Sequence, residues 1–162
     1  MQVKPFIPNR LKGVFVRATP FLSVLLMAYA GAGHAALGAS PEQFNAEATT
    51  IVSNVTAAGL KYLTRDTTLA TGTRVSEYVS DNGVVFAVSW DGPMLPDLKA
   101  LLGKYFDTMV AESAKSPRAG RSRIAVNLPE VVINSGGHMR AFEGSAWIPA
   151  EFPAGFSADD VH

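Results

Sequence analysis

Apolar and polar residues alternate between residues 61 and 90, which predicts antiparallel β-strands in that part of the chain. Asn82-Gly83 is the strongest short hairpin signal there, because both residue types tolerate the positive φ angles of a two-residue turn. Such a turn pairs Val79 with Phe86, and it leaves Phe86 and Trp90 on one apolar face. One-sided burial of this kind is typical of an antiparallel sheet.

The turn that precedes this hairpin decides which charges face each other. A two-residue turn at Thr71-Gly72 places Asp66 opposite Glu77, and like charges directly opposite are unfavourable. A three-residue loop, Ala70-Thr71-Gly72, puts glycine at the left-handed position of a bulged turn and pairs Arg65 with Glu77 instead. The sequence therefore predicts a cross-strand Arg65–Glu77 pair.

Helical spacing of apolar residues predicts one long helix over residues 96–114. The apolar positions of this segment are Leu98, Leu101, Leu102, Tyr105, Phe106, Met109 and Val110. Pro96 suits the first helical position, and Gly103 inside the segment indicates close packing against the sheet. We expect the apolar stripe of this helix to cover the face that carries Phe86 and Trp90.

A second helix is predicted over residues 41–57. Ser40 is a suitable N-cap, Pro41 suits the first helical position, and Gly59 supplies an end. Apolar residues between them recur at helical spacing, although several are β-branched. Residues 36–60 are therefore predicted to form an N-terminal helical arm.

Two final strands, over residues 131–133 and 139–148, are predicted to be joined around Ser135-Gly136-Gly137, and residues 151–162 to form a loosely ordered tail. Together the elements predict an α+β fold over residues 61–150. Its small antiparallel sheet follows the order strand-strand-strand-helix-strand-strand, with one long helix packed on one face and the N-terminal helical arm in addition.

The first 35 residues have the pattern of a secretory signal peptide. Four basic residues come first, an apolar core runs from Phe21 to Ala30, and Gly33-His34-Ala35 offers small residues at the positions that a signal peptidase reads. We expect cleavage between Ala35 and Ala36, which gives a periplasmic or secreted protein without a stable membrane span. The alternative is a retained anchor, because residues 18–37 contain no Asp, Glu, Lys or Arg.

Cleavage leaves 127 of the 162 residues, enough for one domain. The absence of cysteine excludes disulfides, thiolate zinc sites and cysteine nucleophiles. All fourteen acidic residues follow residue 35 but only ten of the fourteen basic residues do, so the mature chain has a net charge of −4. A mildly acidic domain is a poor candidate for binding nucleic acid.

Ser135 and His138 are the candidate catalytic residues. A two-residue Gly136-Gly137 turn sets them face to face at a hairpin tip, where serine is a possible nucleophile and histidine its base. The alternative is ordinary turn chemistry, since a bare hairpin tip supplies neither an orienting acid nor an oxyanion hole. No metal site is predicted, because only His138 and His162 remain after cleavage, and no cofactor is predicted.

Four residues are candidates for binding a ligand or a partner. They are Trp90, His138, Arg140 and Trp147. The tryptophans favour an apolar contact surface, since Trp is enriched in binding surfaces. The alternative places Trp90 in the core and Trp147 half-buried.

Several segments also match a known family. The first block includes Thr67–Thr73, Val85–Pro93 and Leu101–Phe106, and the second is Ser135–Phe142. Together they resemble a bacterial secreted family catalogued as a domain of unknown function, number twenty-eight forty-four, over about residues 60–160. The resemblance implies a Gram-negative envelope protein and no particular activity or site residue.

The sequence thus favours a non-enzymatic exported protein that binds or helps assemble an unidentified component of the envelope. Free edges of a small sheet offer a place for a partner strand. A hydrolase centred on Ser135 and His138 is the second hypothesis. A carrier of a small ligand between helix and sheet is the third.

Overall fold

Seven antiparallel strands form a single sheet in the part of the chain that the computed structural model describes, residues 37–115 and 123–162. The strands are β1 (Ala46–Val55), β2 (Lys61–Leu69), β3 (Arg74–Ser80), β4 (Val85–Gly92), β5 (Ile124–Asn127), β6 (Val132–His138) and β7 (Ala141–Trp147). Their spatial order is β1-β2-β3-β4-β7-β6-β5. The predicted α+β fold with a small sheet and one long helix is therefore wrong, because the sheet dominates the structure.

The predicted helix over residues 41–57 is wrong, since most of this segment is β1. β1 pairs along its length with β2, from Ala46 opposite Leu69 to Val55 opposite Lys61. Apolar spacing in this segment fits a helix, but its β-branched residues suit a strand better once a neighbouring strand is available.

The predicted long helix is interrupted at Gly103. It consists of α1 (Leu98–Leu102), a 3₁₀ turn over Gly103–Tyr105 and α2 (Phe106–Lys115). Gly103 has a φ of 51°, which only glycine adopts readily, and Asp97 caps α1 by accepting hydrogen bonds from two backbone N–H groups. Gly103, which was predicted to allow close packing against the sheet, thus interrupts the helix.

The turn before β3 follows the predicted register. The N–H of Leu69 donates to the carbonyl oxygen of Thr73 across a three-residue loop that ends at Gly72, whose φ is 80°. Arg65 lies opposite Glu77, and the two side chains form an ion pair at 3.0 Å. The cross-strand pair is therefore confirmed.

The hairpin between β3 and β4 is also confirmed, but its geometry differs from the prediction. The N–H of Ser80 donates to the carbonyl oxygen of Val84, so the loop has three residues rather than two. A bulge follows, and Val79 lies opposite Val85 rather than Phe86. Because an extra residue reverses the alternation of side chains, Phe86 lies on the face opposite to Trp90.

The sheet is consequently covered on both faces. On the helical face, the two helices pack over a large cluster whose fully buried members include Val75, Val88, Leu101, Leu102 and Ile133. On the tail face, the C-terminal segment packs over Phe86 with Phe152 and Phe156, whose ring centroids lie 5.9 and 4.9 Å from that of Phe86. These contacts were not anticipated for a segment expected to be loosely ordered.

The segment before β1 is built into the helical face. Leu37 is 1% exposed, and its N–H donates to the carbonyl oxygen of Leu101 (3.1 Å). The N–H of Gly38 donates to the carbonyl oxygen of Val85 (2.8 Å), and the N–H of Val85 donates to the carbonyl oxygen of Ala39 (2.8 Å). The first described residues therefore belong to the core and are fixed by main-chain pairing.

A buried ion pair fixes the next part of this segment. Glu77 is 1% exposed and accepts hydrogen bonds from Arg65 (3.0 Å) and from the N–H of Glu42 (2.8 Å), while Arg65 also donates to the Glu42 carbonyl oxygen. Burial raises the pKa of the Glu77 carboxyl, although both hydrogen bonds and the Arg65 charge oppose that shift. Glu77 thus connects the middle of the sheet to the chain that leads into β1.

Candidate functional site

Ser135 and His138 both lie on β6, and the structure does not bring them face to face. The turn between β6 and β7 lies at Met139-Arg140, since His138 is the last residue of β6 and pairs with Ala141. The prediction of a turn at Gly136-Gly137 is therefore wrong. Residues three apart on a strand point to opposite faces. Ser135 is buried, His138 is exposed, and no hydrogen bond joins their side chains within the described residues.

The two tryptophans lie on opposite faces of the sheet. Trp90 is buried on the helical face, where its indole N–H has no hydrogen-bond partner among the described residues. Trp147 is half-buried and packs beside the aromatic cluster of the tail face. They do not share one contact surface.

Arg140 occupies the β6–β7 turn with a φ of 67°, a left-handed conformation that is uncommon for a residue other than glycine. Its side chain and that of His138 are exposed near the same hairpin end. Among residues 37–115 and 123–162, no three His, Asp or Glu side chains converge as metal ligands do.

The outer edge of β1 is an exposed surface that the sequence did not identify, because the segment resembled a helix. Nine of its ten residues are exposed, including Ile51 (62%) and Val55 (60%) on the helical face. From Ala48 to Val55 the strand contains no charged residue and no proline. At the other edge of the described sheet, β5 has only four residues.

Among the described residues, no strand pairs with the backbone groups along the outer edge of β1. The N–H of Thr56 donates to the carbonyl oxygen of Leu60 (2.8 Å), so even-numbered residues turn their backbone groups toward β2. The odd-numbered residues from Thr49 to Val55 turn theirs outward. Such a row of donors and acceptors is a template for another strand.

The C-terminal segment holds the β1–β2 hairpin in place. The hydroxyl of Thr56, at the end of β1, donates to the carbonyl oxygen of Ala154 (2.7 Å). Gly155 lies so close to the turn that an added Cβ would approach the backbone nitrogen of Ala58 to 2.6 Å. The C-terminal segment therefore supports the edge strand, whose outer side has no strand partner in the described part of the chain.

A second surface is a furrow on the tail face, next to the end of the tail. The furrow is a cavity of about 580 Å³ to which β3, β4, β7, β6, β5 and the chain end at His162 contribute. Charged side chains line it: Arg74, Asp91, Arg123 and Glu143. An adjoining hollow of about 240 Å³, lined by residues of β1, β2 and β3, shares Arg74, Ser76 and His162 with it.

His162 contributes to the lining of both hollows. The hydroxyl of Tyr78 donates to the carbonyl oxygen of His162 (2.8 Å) and accepts from its N–H (3.0 Å), and Ser89 donates to the same oxygen (3.1 Å). In the smaller hollow, burial and then the negative charge of Asp160 and the nearby Tyr78 raise the pKa of the Tyr62 phenol. This surface could not be predicted from the sequence, since its residues come from strands far apart along the chain.

Comparison with known proteins identifies a family but no activity. Residues 33–161 match the sequence model of a family described as "Protein of unknown function (DUF2844)". No curated protein and no solved structure matches the chain. Among the described residues, none of the helices has the length and apolar character needed to cross a membrane.

Proposed function

The chain belongs to the DUF2844 family of proteins of unknown function, and on that premise we propose that it is an exported, non-enzymatic binding or envelope-assembly protein that accepts a partner strand along β1. The observation that carries the proposal is the open edge of β1, a ten-residue strand with an uncharged run from Ala48 to Val55. Proteins usually protect long edge strands with lysine, proline or a bulge. The register of β1 against β2 shifts between Ala46 and Ala48, so the irregularity lies at the start of the uncharged run.

Main-chain hydrogen bonds would provide most of the affinity for such a partner strand. The outward-facing residues Thr49, Ile51, Ser53 and Val55 offer an N–H and a carbonyl oxygen each. Ile51 and Val55 also expose apolar side chains on the helical face, beside Leu63 of β2 at 39% exposure. A partner segment with apolar residues at alternate positions matches this arrangement, because alternate side chains of a strand share a face.

Export supplies the second part of the proposal. The signal-like features of residues 1–35 support cleavage between Ala35 and Ala36. Cleavage there keeps Leu37, a buried residue of the core, in the mature chain. Sequencing the N-terminus of the protein recovered from the periplasm tests the site, and a start far from Ala36 would contradict it.

The edge is tested by comparing two lysine substitutions at exposed apolar positions. Ile51→Lys adds a charge to the open edge, whereas Val110→Lys adds the same charge on α2, where Val110 is 48% exposed. We expect cross-linking in periplasmic extracts to capture a reproducible partner with the wild-type protein and with V110K, but not with I51K.

Two results would contradict the proposal. One is equal capture by the wild-type protein and I51K, which would place the partner elsewhere. The other is the absence of any reproducible partner together with turnover of a substrate library. Circular dichroism of both variants checks that neither substitution has unfolded the sheet.

A further inference from the structure

We propose that the furrow on the tail face binds a neutral polyhydroxylated ligand, a linear oligosaccharide. The volume of the furrow, about 580 Å³, lies within the range of small-molecule sites. It lies on the tail face of the sheet, among the strands from β3 to β5, and is therefore distinct from the open edge of β1.

The first observation is a row of charged side chains that are adjacent but do not pair with each other. Arg74 lies opposite Asp91, Asp91 opposite Glu143, and Glu143 opposite Gly136. Arg123 completes the row, since its side chain lies over Gly136, 3.5 Å from an added Cβ. Side chains at such positions are about 5 Å apart at Cβ. The ion pairs among the described residues are Arg65–Glu77 and Lys115–Glu112, and neither includes a member of this row.

This row has a defined electrostatic character. Asp91 and Glu143 lie side by side in the middle, and like charges at directly opposite positions are unfavourable without a bound donor. Arg74 and Arg123 lie at the two ends, so the four charges sum to zero. A ligand of large net charge gains nothing from such a row, while a group that both donates and accepts hydrogen bonds can satisfy both kinds of side chain.

A hydroxyl is that group. It donates one hydrogen bond to a carboxylate and accepts from a guanidinium, and neighbouring hydroxyls of a sugar repeat the pattern. The second row of side chains across the furrow is uncharged: Ser76, Ser89, Ser145 and Asn134 follow one another in register. Ser145 and Asn134 have no side-chain hydrogen bond to another described residue, so their polar atoms face the furrow unpaired.

The shape of the surface favours a chain over a compact molecule. The two hollows share three residues and together reach strands from β1 to β5. The lining residues thus lie on neighbouring strands, which are about 4.8 Å apart. The smaller hollow adds Tyr62, Tyr78, Thr64 and Asn54. Hydroxyl and amide groups there suit the polar edges of sugar units, while both tyrosine rings pack inward in the aromatic cluster of the tail face.

The test is a titration of the protein labelled with ¹⁵N, followed by amide chemical shifts. The probes are an N-acetylglucosamine tetramer, cellohexaose and maltohexaose, with inorganic phosphate, calcium chloride and the dipeptide lysyl-glutamate as ionic comparisons. We expect at least one oligosaccharide to shift, saturably, amides of residues 89–91, 134–136 and 143–145, and the ionic probes to leave them unchanged.

Variants of exposed furrow residues give the second readout. Glu143→Gln and Arg74→Gln each remove one charged hydrogen-bonding group, and each is expected to weaken oligosaccharide binding about tenfold. The matched control is Glu130→Gln, an exposed acid outside the furrow, which should bind like the wild-type protein. Ile51→Lys should also leave oligosaccharide binding unchanged. Loss of the partner strand at β1 and loss of oligosaccharide binding in the furrow can therefore be told apart.

Three outcomes would overturn the proposal. The first is the absence of a saturable shift with any of the three oligosaccharides. The second is a response to phosphate, calcium or the dipeptide alone, which would assign the furrow to an ionic ligand. The third is an oligosaccharide affinity that is the same for E143Q and R74Q as for the control variant E130Q.

Discussion

Truncation of Leu37 tests whether the first described residues are part of the folded core. The side chain is 1% exposed within the cluster on the helical face, close to Leu101 and Leu102. Leu37→Ala removes about three buried carbon groups, which corresponds to about 2.4 kcal/mol of lost transfer free energy. The backbone hydrogen bonds of residues 37–39 to Val85 and Leu101 prevent the segment from collapsing into the space left behind.

A cavity therefore adds to the cost, and measured Leu→Ala costs in cores run from about 2 to 5 kcal/mol. We expect about 3 kcal/mol for Leu37→Ala. For a domain of this size that corresponds to a decrease of about 10 °C in melting temperature. The loss is large relative to a total stability of about 5–15 kcal/mol.

Urea unfolding followed by circular dichroism and calorimetry measures the effect. Leu95→Ala is the matched control, because Leu95 is 46% exposed and its truncation should cost less than about 1 kcal/mol. Free energies of unfolding for the two variants within about 0.5 kcal/mol of each other would refute the docking of this segment in the core.

Two further predictions concern the half-buried Gly144 and the buried Glu77. Gly144→Ala should lower the free energy of unfolding by about 1–3 kcal/mol, because an added Cβ would lie 2.2 Å from Cζ2 of Trp90. The control is Gly136→Ala, which should change the free energy of unfolding little, because the nearest contact of its Cβ would be 3.5 Å. Equal effects of the two substitutions in urea unfolding would contradict this prediction. Burial raises the pKa of Glu77 above its ordinary 4.5, so the folded protein holds this proton more tightly than the unfolded chain does. Its contribution to stability is then complete below pH 4.5 and is lost as pH rises through the folded-state pKa. Glu77→Gln should remove this decrease from urea unfolding measured between pH 4 and 8, and parallel profiles of the two proteins would show that another group causes it.

Local turn chemistry explains why part of the sheet could be predicted. Gly72 in a three-residue loop sets the register of β2 against β3, and the Arg65–Glu77 pair follows from that register. Both signals act between residues close together in the chain. The other hairpin was located by Asn82-Gly83, but the bulge that moves Phe86 to the tail face was not.

The nature of β1 could not be read from its own residues. Ile51, Val52 and Val55 fit a helical stripe as well as one edge of a sheet. The strand forms because β2 offers a full row of backbone partners, and such pairing is not a property of either segment alone. The open edge that carries the proposed function therefore became visible only with the sheet assembled.

The sequence by itself determined the hairpins around β3, the Arg65–Glu77 register, the apolar surface of the helical segments and the family to which the chain belongs. The tertiary structure alone decided that the sheet has two covered faces and that β7 pairs with β4. The furrow between Arg74 and Glu143 depends on that last pairing, which joins residues at least fifty positions apart. Turn geometry is set by neighbours along the chain, whereas a surface built across strands is set by packing that no short stretch of sequence contains.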